Sequence, residues 1–165
     1  MKALVFDMDG TLADFYGVDG WLEYLNREDA TPYEVASPLW DMDALNAVLA
    51  ILRNSGWKII ITSWLSKNGS KGFNKRTRQA KRAWLEKVGF TYDEIHLVKY
   101  GRCKADSTRK QGGWQILIDD NAKIRDGWTL GETINPTNLP NQLLDLLTLQ
   151  ELQENYQALK EIIGD

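Results

Sequence analysis

Near its amino end the chain reads Ala3-Leu4-Val5-Phe6-Asp7-Met8-Asp9-Gly10-Thr11, a short apolar run that stops at two carboxylates and a glycine. Four consecutive apolar residues predict a fully buried strand, because a strand covered on both faces has no alternating polar positions. Asp, Gly and Thr are typical of the turn after a strand, since Gly permits a positive φ and Asp accepts hydrogen bonds from nearby amides. The stretch therefore predicts a buried strand that delivers Asp7 and Asp9 to one edge of a sheet.

Farther along the chain, apolar segments predict alternating strands and helices. We predict strands over 57–62, 94–98, 115–118 and 132–134, and amphipathic helices over 19–26, 41–54, 74–88 and 141–162. This alternation is typical of an α/β fold in which a doubly wound parallel sheet is covered by helices on both faces. We expect a single domain over 1–165, with a small cap or insertion at about 14–40 and a C-terminal helix at about 141–162.

Polar residues follow each of the first four predicted strands. In such a sheet the carboxyl ends of the strands meet at one edge, where ligands bind. Converging carboxylates stay ionised only beside a cation, and their hard oxygens suit Mg²⁺, which shares its coordination with phosphate. Gly10 and Thr11 would let backbone amides approach that anion. In chain order the residues after the strands are Asp7, Asp9, Gly10 and Thr11, then Thr62 and Ser63, then Lys99 and Lys104, and finally Asp119 and Asp120.

These segments resemble the motifs of the haloacid dehalogenase (HAD) superfamily. Asp7-Met8-Asp9-Gly10-Thr11 resembles its first motif, Ile59-Ile60-Ile61-Thr62-Ser63 its second and Ile116-Leu117-Ile118-Asp119-Asp120 its fourth. The third motif is a lone lysine, best matched by Lys104, with Lys99 and Lys110 as alternatives. The resemblance frames residues 3–120 and implies a HAD-like Rossmannoid core and a phosphatase, either nucleotidase-like or polynucleotide-phosphatase-like.

The resemblance also implies roles for individual side chains. Asp7 would attack phosphorus to form an aspartyl-phosphate, and Asp9 would protonate the leaving oxygen and then activate water. Asp9 favours phosphoryl transfer over dehalogenation, because a departing halide needs no proton. Mg²⁺ would be held by Asp7, the Asp9 carbonyl and Asp120, with Asp119 as a ligand or a neighbour of one. The substrate phosphate would contact Gly10, Thr11, Thr62, Ser63 and Lys104.

Charge is distributed unevenly along the chain. The segment 64–110 holds thirteen Lys and Arg against four acids, a local net charge of +9, whereas the whole chain carries −3. Such a segment indicates either a surface that faces an anion or a solvated helix face. Trp64 and Phe73 are candidate exposed aromatics that would stack on a base. We therefore expect the substrate to be a nucleotide or a phosphorylated nucleic-acid end, reached through a site that a small cap leaves open.

Three other functions are compatible with parts of this pattern. One is a sugar or metabolite phosphatase of the same superfamily. Another is a non-catalytic nucleic-acid-binding module built on 64–110, which would not require acids at the other strand ends. A receiver domain also uses an aspartyl-phosphate and Mg²⁺, but its phosphoacceptor follows a middle strand. Here the doubled acid comes late in the chain, which disfavours the receiver.

Composition limits the compartment and the partners. Cys103 is the single cysteine, so the chain forms no internal disulfide and suits a reducing environment. The apolar run before Asp7 is too short for a signal peptide, and no stretch approaches the length of a membrane span. We expect a cytoplasmic enzyme, monomeric and without a membrane partner. His96, the single histidine, falls within a predicted strand and is interpreted as structural.

Overall fold

The computed structural model describes residues 1–156 and 160, which form an α/β fold around a five-stranded parallel sheet. The strand order is β3-β2-β1-β4-β5, so β1 is central and its carboxyl end is flanked by those of β2 and β4. The predicted fold class is confirmed, and all five predicted strands are present. They are β1 Lys2–Phe6, β2 Trp57–Trp64, β3 Glu94–Val98, β4 Trp114–Ile118 and β5 Thr133–Ile134.

Helices fill the connections between the strands. The predicted helix after the insertion begins where expected, because the Asp41 carboxylate accepts hydrogen bonds from the amides of Asp43 and Ala44, both at 3.0 Å. Within the described residues the α-helices are α1 Trp21–Asn26, α2 Thr31–Val35, α3 Met42–Asn54, α4 Lys71–Lys87, α5 Lys104–Thr108, α6 Ala122–Asp126, α7 Leu139–Leu144 and α8 Leu149–Glu154. A 3₁₀ turn, Arg109–Gln111, follows α5.

Both faces of the sheet are buried, which is why its strands read as continuous apolar runs. Leu4, Ile59 and Ile116 point to the face covered by α3, α4 and α7. Val5 and Ile60 point to the opposite face, which is covered by α5 and the segment around α6. Apolar side chains on both faces exclude water from the sheet, and polar groups are then concentrated at the strand ends.

The insertion between β1 and α3 packs on α4. Phe15 stacks on Tyr33 with ring centroids 4.7 Å apart, and both belong to a buried cluster with Phe73 and Ala80 of α4. The Tyr33 hydroxyl and the Ser66 hydroxyl are 2.8 Å apart, which ties the insertion to the loop after β2. These contacts hold α1 and α2 over the carboxyl end of the sheet.

The single helix predicted over 141–162 is wrong in its described part. The chain forms α7, turns, and begins α8 at a capping box in which Thr148 and Glu151 satisfy each other's backbone amides. Leu143 and Leu147 are buried, but Leu149 is 80% exposed. Residues 157–159, 161 and 162 of the predicted helix lie outside the described residues.

Candidate active site

Two adjacent strands bring three carboxylates together. Phe6 and Ile118 are register partners, and the amide of Asp7 donates to the carbonyl of Ile118 at 2.9 Å. Asp7 and Asp119, the next residue on each strand, therefore emerge side by side at the edge of the sheet. Together with Asp120 they offer carboxylate oxygens that lie within 4.8 Å of one another. Three hard oxygen donors this close form a set suited to a divalent cation such as Mg²⁺.

Lys104 is the lysine that joins this cluster, and neither Lys99 nor Lys110 lines the cavity above it. Its Nζ lies 2.8 Å from Asp7 Oδ1 and 2.6 Å from Asp119 Oδ2, and the residue is 4% exposed. Burial opposes the charged form of Lys104, but the two carboxylates outweigh it and raise the pKa of the ammonium. The lysine is delivered by α5, which begins at this residue.

A second buried lysine, Lys81, lies beside Asp9. Its Nζ donates to Asp9 Oδ2 at 2.6 Å and to Ser63 Oγ at 2.9 Å, and it lies 4.9 Å from the centroid of the Tyr33 ring. A role for Lys81 was not predicted from the sequence, because Lys81 lies in the basic segment 64–110 and its sequence context is that of a solvated cation. The signal was its helical spacing: Lys81 shares the inward face of α4 with Thr77 and Trp84, all buried.

Electrostatics differ among the acids. Burial, reinforced by the charge of Asp7, raises the pKa of Asp119 to about 6 despite the neighbouring Lys104. Burial also raises the pKa of Asp9, with Lys81 opposing the rise and Asp7 adding to it. The pKa of Asp120 is raised in the same way. A raised pKa favours the protonated form of a carboxyl group, and for Asp119 it brings the titration close to neutral pH.

In the turn after β1, backbone amides form hydrogen bonds with carbonyl groups of the same turn. Gly10 N–H donates to the Ala13 carbonyl at 2.8 Å and Thr11 N–H donates to the Met8 carbonyl at 3.1 Å. The expected approach of these amides to a phosphate is therefore not available in this conformation. Thr11 is fully buried, and its hydroxyl donates to Asp120 Oδ1 at 3.3 Å while accepting from the Asp120 amide at 3.1 Å. Thr11 thus links the β1 turn to the β4 turn.

Gly10 is required for a steric reason. Its φ is +80°, and a Cβ built there would lie 2.6 Å from Asp120 Oδ2 and 3.0 Å from the Tyr16 ring. A side chain at this position would be strained in its backbone and would collide with one of the three clustered carboxylates.

The two hydroxyl residues near the carboxyl end of β2 have different surroundings. Thr62 is fully buried, and its Oγ1 lies 2.7 Å from Ser107 Oγ of α5. Ser63 lines the cavity above the carboxylates and accepts the hydrogen bond from Lys81. Ser63 is as fully buried as Thr62, and of the two it is the one that borders the cavity.

The acid cluster opens into a cavity of about 600 Å³. Trp64 and Tyr100 form one wall, with ring centroids 4.8 Å apart, and the Trp64 indole N–H donates to the Arg102 carbonyl at 2.8 Å. The expectation that Phe73 is exposed is wrong: it is 1% exposed and packs against the insertion. Residues of the insertion also line the cavity, namely Phe15, Tyr16, Trp21, Leu22, Leu25, Asn26, Glu28 and Tyr33.

His96 lies on β3, where it contacts the Glu94 carboxylate at 3.2 Å and does not line the cavity. Its interpretation as a structural residue agrees with this position. Among residues 1–156 and 160, no helix is both long enough and apolar enough to cross a bilayer.

The five-stranded parallel sheet with its helices matches a HAD-like Rossmannoid fold. The solved structure of a D,D-heptose 1,7-bisphosphate phosphatase from Burkholderia thailandensis is similar to this chain, with a TM-score of 0.52 and 13% sequence identity. The match covers 90% of this chain and 99% of that one, and at this identity it shows the fold. No protein-family model and no curated protein matches the sequence.

Proposed function

We propose that this protein hydrolyses phosphate monoesters with the help of Mg²⁺ and through an aspartyl-phosphate on Asp7. The observation that carries the proposal is the position of Lys104 between Asp7 and Asp119, at 2.8 and 2.6 Å, with Asp9 two residues from the nucleophile. A binding module has no need to assemble two buried lysines and four acids at one strand edge. The Asp7 side chain is 10% exposed and faces the cavity, so an incoming phosphorus can reach it.

In the first step an oxygen of Asp7 forms a bond to phosphorus while the bond from phosphorus to the ester oxygen breaks. Asp9 donates its proton to that departing oxygen, which leaves as an alcohol. The raised pKa of Asp9 supports this role, because a proton must be present on the carboxyl near neutral pH. Lys104 neutralises charge on the phosphoryl oxygens, and Ser63, which borders the cavity, would donate a hydrogen bond to one of them.

In the second step Asp9, now a carboxylate, removes a proton from water as the water oxygen attacks phosphorus. The bond from phosphorus to Asp7 breaks, releasing inorganic phosphate and restoring the carboxylate of Asp7 and the protonated Asp9. Lys81 holds the Asp9 carboxylate on the cavity side in both steps, since their contact is 2.6 Å long. The same side chain thus serves as acid and then as base.

The donor set fits Mg²⁺. Asp7, Asp119 and Asp120 would hold the ion, together with the Asp9 carbonyl that the family resemblance implies. The raised pKa of Asp119 reflects burial and repulsion from Asp7, both of which a divalent cation offsets. When bound, Mg²⁺ would draw charge from the phosphoryl oxygens.

The proposed substrate is a nucleotide, either free or at the end of a nucleic-acid strand. The cavity volume of about 600 Å³ is within the usual range for small-molecule sites. Trp64, Tyr100 and Trp21 line the cavity and provide aromatic surfaces on which a base would stack. The phosphate would lie over Asp7 and the base toward these rings.

A sugar phosphate is the second candidate, because the similar solved structure is a phosphatase of a heptose bisphosphate. Asn26, Ser66 and Asn68 line the same cavity and offer hydrogen bonds to sugar hydroxyls. The aromatic rings that line the cavity favour a nucleotide as substrate, whereas its polar lining residues favour a sugar phosphate.

A panel of phosphate monoesters tests the proposal. It contains an aryl phosphate, nucleoside 5′- and 3′-monophosphates, sugar phosphates and a 3′-phosphorylated oligonucleotide, each assayed with Mg²⁺ and with a chelator. We expect Mg²⁺-dependent release of phosphate, fastest from a nucleotide. Sugar phosphates turned over far better than every nucleotide would support the second candidate, and no turnover of any compound would refute the phosphatase.

A further inference from the structure

The exposed side of α4 carries a row of four cations. Lys71, Lys75, Arg78 and Arg82 are all exposed and are spaced by four, three and four residues. At 100° per residue they lie within about 60° of one another around the helix axis, and they extend over about 16 Å. We call these four residues the α4 stripe.

The α4 stripe disfavours folding of its own helix. Like charges three or four residues apart on a helix repel one another and destabilise it. The first turn of α4 contains no acid, so Lys71 also lies uncompensated at the positive end of the helix dipole. Among residues 1–156 and 160, no carboxylate forms an ion pair with any of the four. The charge is therefore available to an external anion.

The stripe begins at the rim of the cavity. Lys67 lines the cavity and lies 5.8 Å from the centroid of the Tyr100 ring, and Lys71 follows it by four residues. From there the stripe follows the exposed side of α4 as far as Arg82, while the neighbouring Lys81, on the inward side of the helix, reaches Asp9. A ligand whose terminal phosphate occupies the cavity would pass Lys67 before it reaches the stripe.

We infer that the α4 stripe binds the phosphate backbone of a single-stranded nucleic acid whose phosphorylated end enters the cavity. The inference deepens the proposed function, since it selects the strand end over the free nucleotide. A nucleic acid matches the pattern because it repeats one negative charge per nucleotide, which a row of cations follows. An anionic membrane matches it less well, because the apolar residues Phe73, Trp84 and Leu85 of α4 are buried and none remains to enter a bilayer.

The test is direct binding of an internally labelled oligodeoxythymidylate of about twelve nucleotides without a terminal phosphate, which is not a substrate. Four phosphate contacts on a single strand predict that log K falls with log salt concentration at a slope of about −2.8. The double variant K75Q/R78Q removes two contacts, so we expect the slope to become about −1.4 and affinity at about 0.1 M salt to fall about 25-fold. The matched control K87Q/K110Q changes two exposed lysines that lie outside the α4 stripe and should retain the wild-type slope.

Absence of binding at low salt, or equal loss in the two double variants, would overturn the inference. Binding of vesicles rich in anionic phospholipid with the same dependence on Lys75 and Arg78 would overturn it as well. The result is independent of catalysis, because the probe is not hydrolysed. Wild-type protein that hydrolyses nucleoside monophosphates but does not bind the oligonucleotide disproves the inference alone, whereas binding without any hydrolysis disproves the proposed function alone.

Unfolding temperatures show whether weaker binding by a variant comes from loss of stability instead of loss of the cations. K75Q/R78Q removes repulsion within α4, so its unfolding temperature should equal or exceed that of the wild type. A variant that binds weakly and melts at the wild-type temperature or above supports the inference. If it melts lower, the separate variant R82Q must reproduce a slope change of about 0.7, and failure to do so counts against the stripe.

Discussion

The ammonium of Lys81 lies 2.6 Å from Asp9 Oδ2 and is fully buried, while the Asp9 side chain is 19% exposed to the cavity. Lys81 is thus buried on the inward side of α4, whereas the Asp9 carboxylate faces the cavity in which the substrate would bind. The same Nζ holds Ser63 at 2.9 Å, so one lysine orients two groups that converge on the cavity. This contact links the basic helix to the chemistry proposed for Asp9.

Replacing Lys81 with Met tests this link. Without Lys81 the Asp9 carboxyl loses its orienting partner, and we expect turnover to fall about 10²-fold. The pKa of Asp9 should rise further, because Lys81 lowers it at present, and the pH optimum should move upward. Steady-state kinetics over a pH series measure both effects. Lys87→Met, an exposed change on the same helix, should leave the rate and the pH optimum unchanged.

Asp9→Asn separates proton transfer from nucleophilic attack. Loss of the general acid should reduce hydrolysis of a nucleoside monophosphate by about 10²–10⁴-fold. The leaving group of an aryl phosphate needs less protonation. The rate of the first step with an aryl phosphate should therefore fall less. Asp7→Asn should abolish turnover of both compounds, and Asp19→Asn, an exposed change, serves as the control. Full activity of Asp7→Asn would rule out Asp7 as nucleophile.

Gly10→Ala has a close control in Gly56→Ala. Both glycines adopt positive φ, +80° and +85°, so each substitution should cost about 1–2 kcal/mol in backbone strain. Only at Gly10 would the new Cβ meet Asp120, at 2.6 Å, whereas nothing lies within 4 Å at Gly56. We expect similar drops in unfolding temperature, and a rise in the Mg²⁺ concentration for half-maximal activity in Gly10→Ala alone. Equal Mg²⁺ requirements would contradict the steric argument.

Stability should depend on pH and Mg²⁺ through Asp119. Its pKa is about 6 in the fold and 3.8 ordinarily, so without Mg²⁺ this group favours folding below about pH 4 and loses that contribution as pH rises through 6. Mg²⁺ binds the ionised carboxylates, so its stabilising effect should grow between about pH 5 and pH 7. Thermal unfolding with Mg²⁺ or a chelator measures the difference. Asp119→Asn should reduce that pH dependence, and an unaltered dependence would count against this assignment.

Tyr100→Ala tests recognition of the base. Tyr100 is 45% exposed beside Trp64, and base stacking contributes about 1–3 kcal/mol, so KM for a nucleoside monophosphate should rise about fivefold to a hundredfold. KM for a small phosphate without an aromatic ring should not change. Trp114→Ala removes a similarly exposed ring at the amino end of the sheet and is the control. A KM that rises equally for both substrates would argue against stacking.

Several site residues could be predicted from the sequence, because the carboxyl ends of parallel strands lie at the same edge of the sheet. Asp7, Asp119 and Asp120 follow buried apolar runs, and the geometry brings them within 4.8 Å. The sequence left three candidates for the phosphate-binding lysine, namely Lys99, Lys104 and Lys110. Only the position of α5 in the fold shows that Lys104 is the one that reaches the carboxylates. The break between α7 and α8 was readable but missed, since Thr148 and Glu151 have the spacing of a capping box.

Local patterns of apolar runs and turns were enough to predict the parallel sheet and the edge at which its acids gather. The cations and aromatic rings that join that edge could be identified only from the way distant segments pack together. Lys81 and Lys75 are both lysines of α4, but the first is buried against Asp9 and the second is exposed. Phe73 is enclosed by the insertion, whereas Tyr100 remains half-exposed beside the cavity. Their environments depend on packing between segments distant in sequence, which local patterns do not specify.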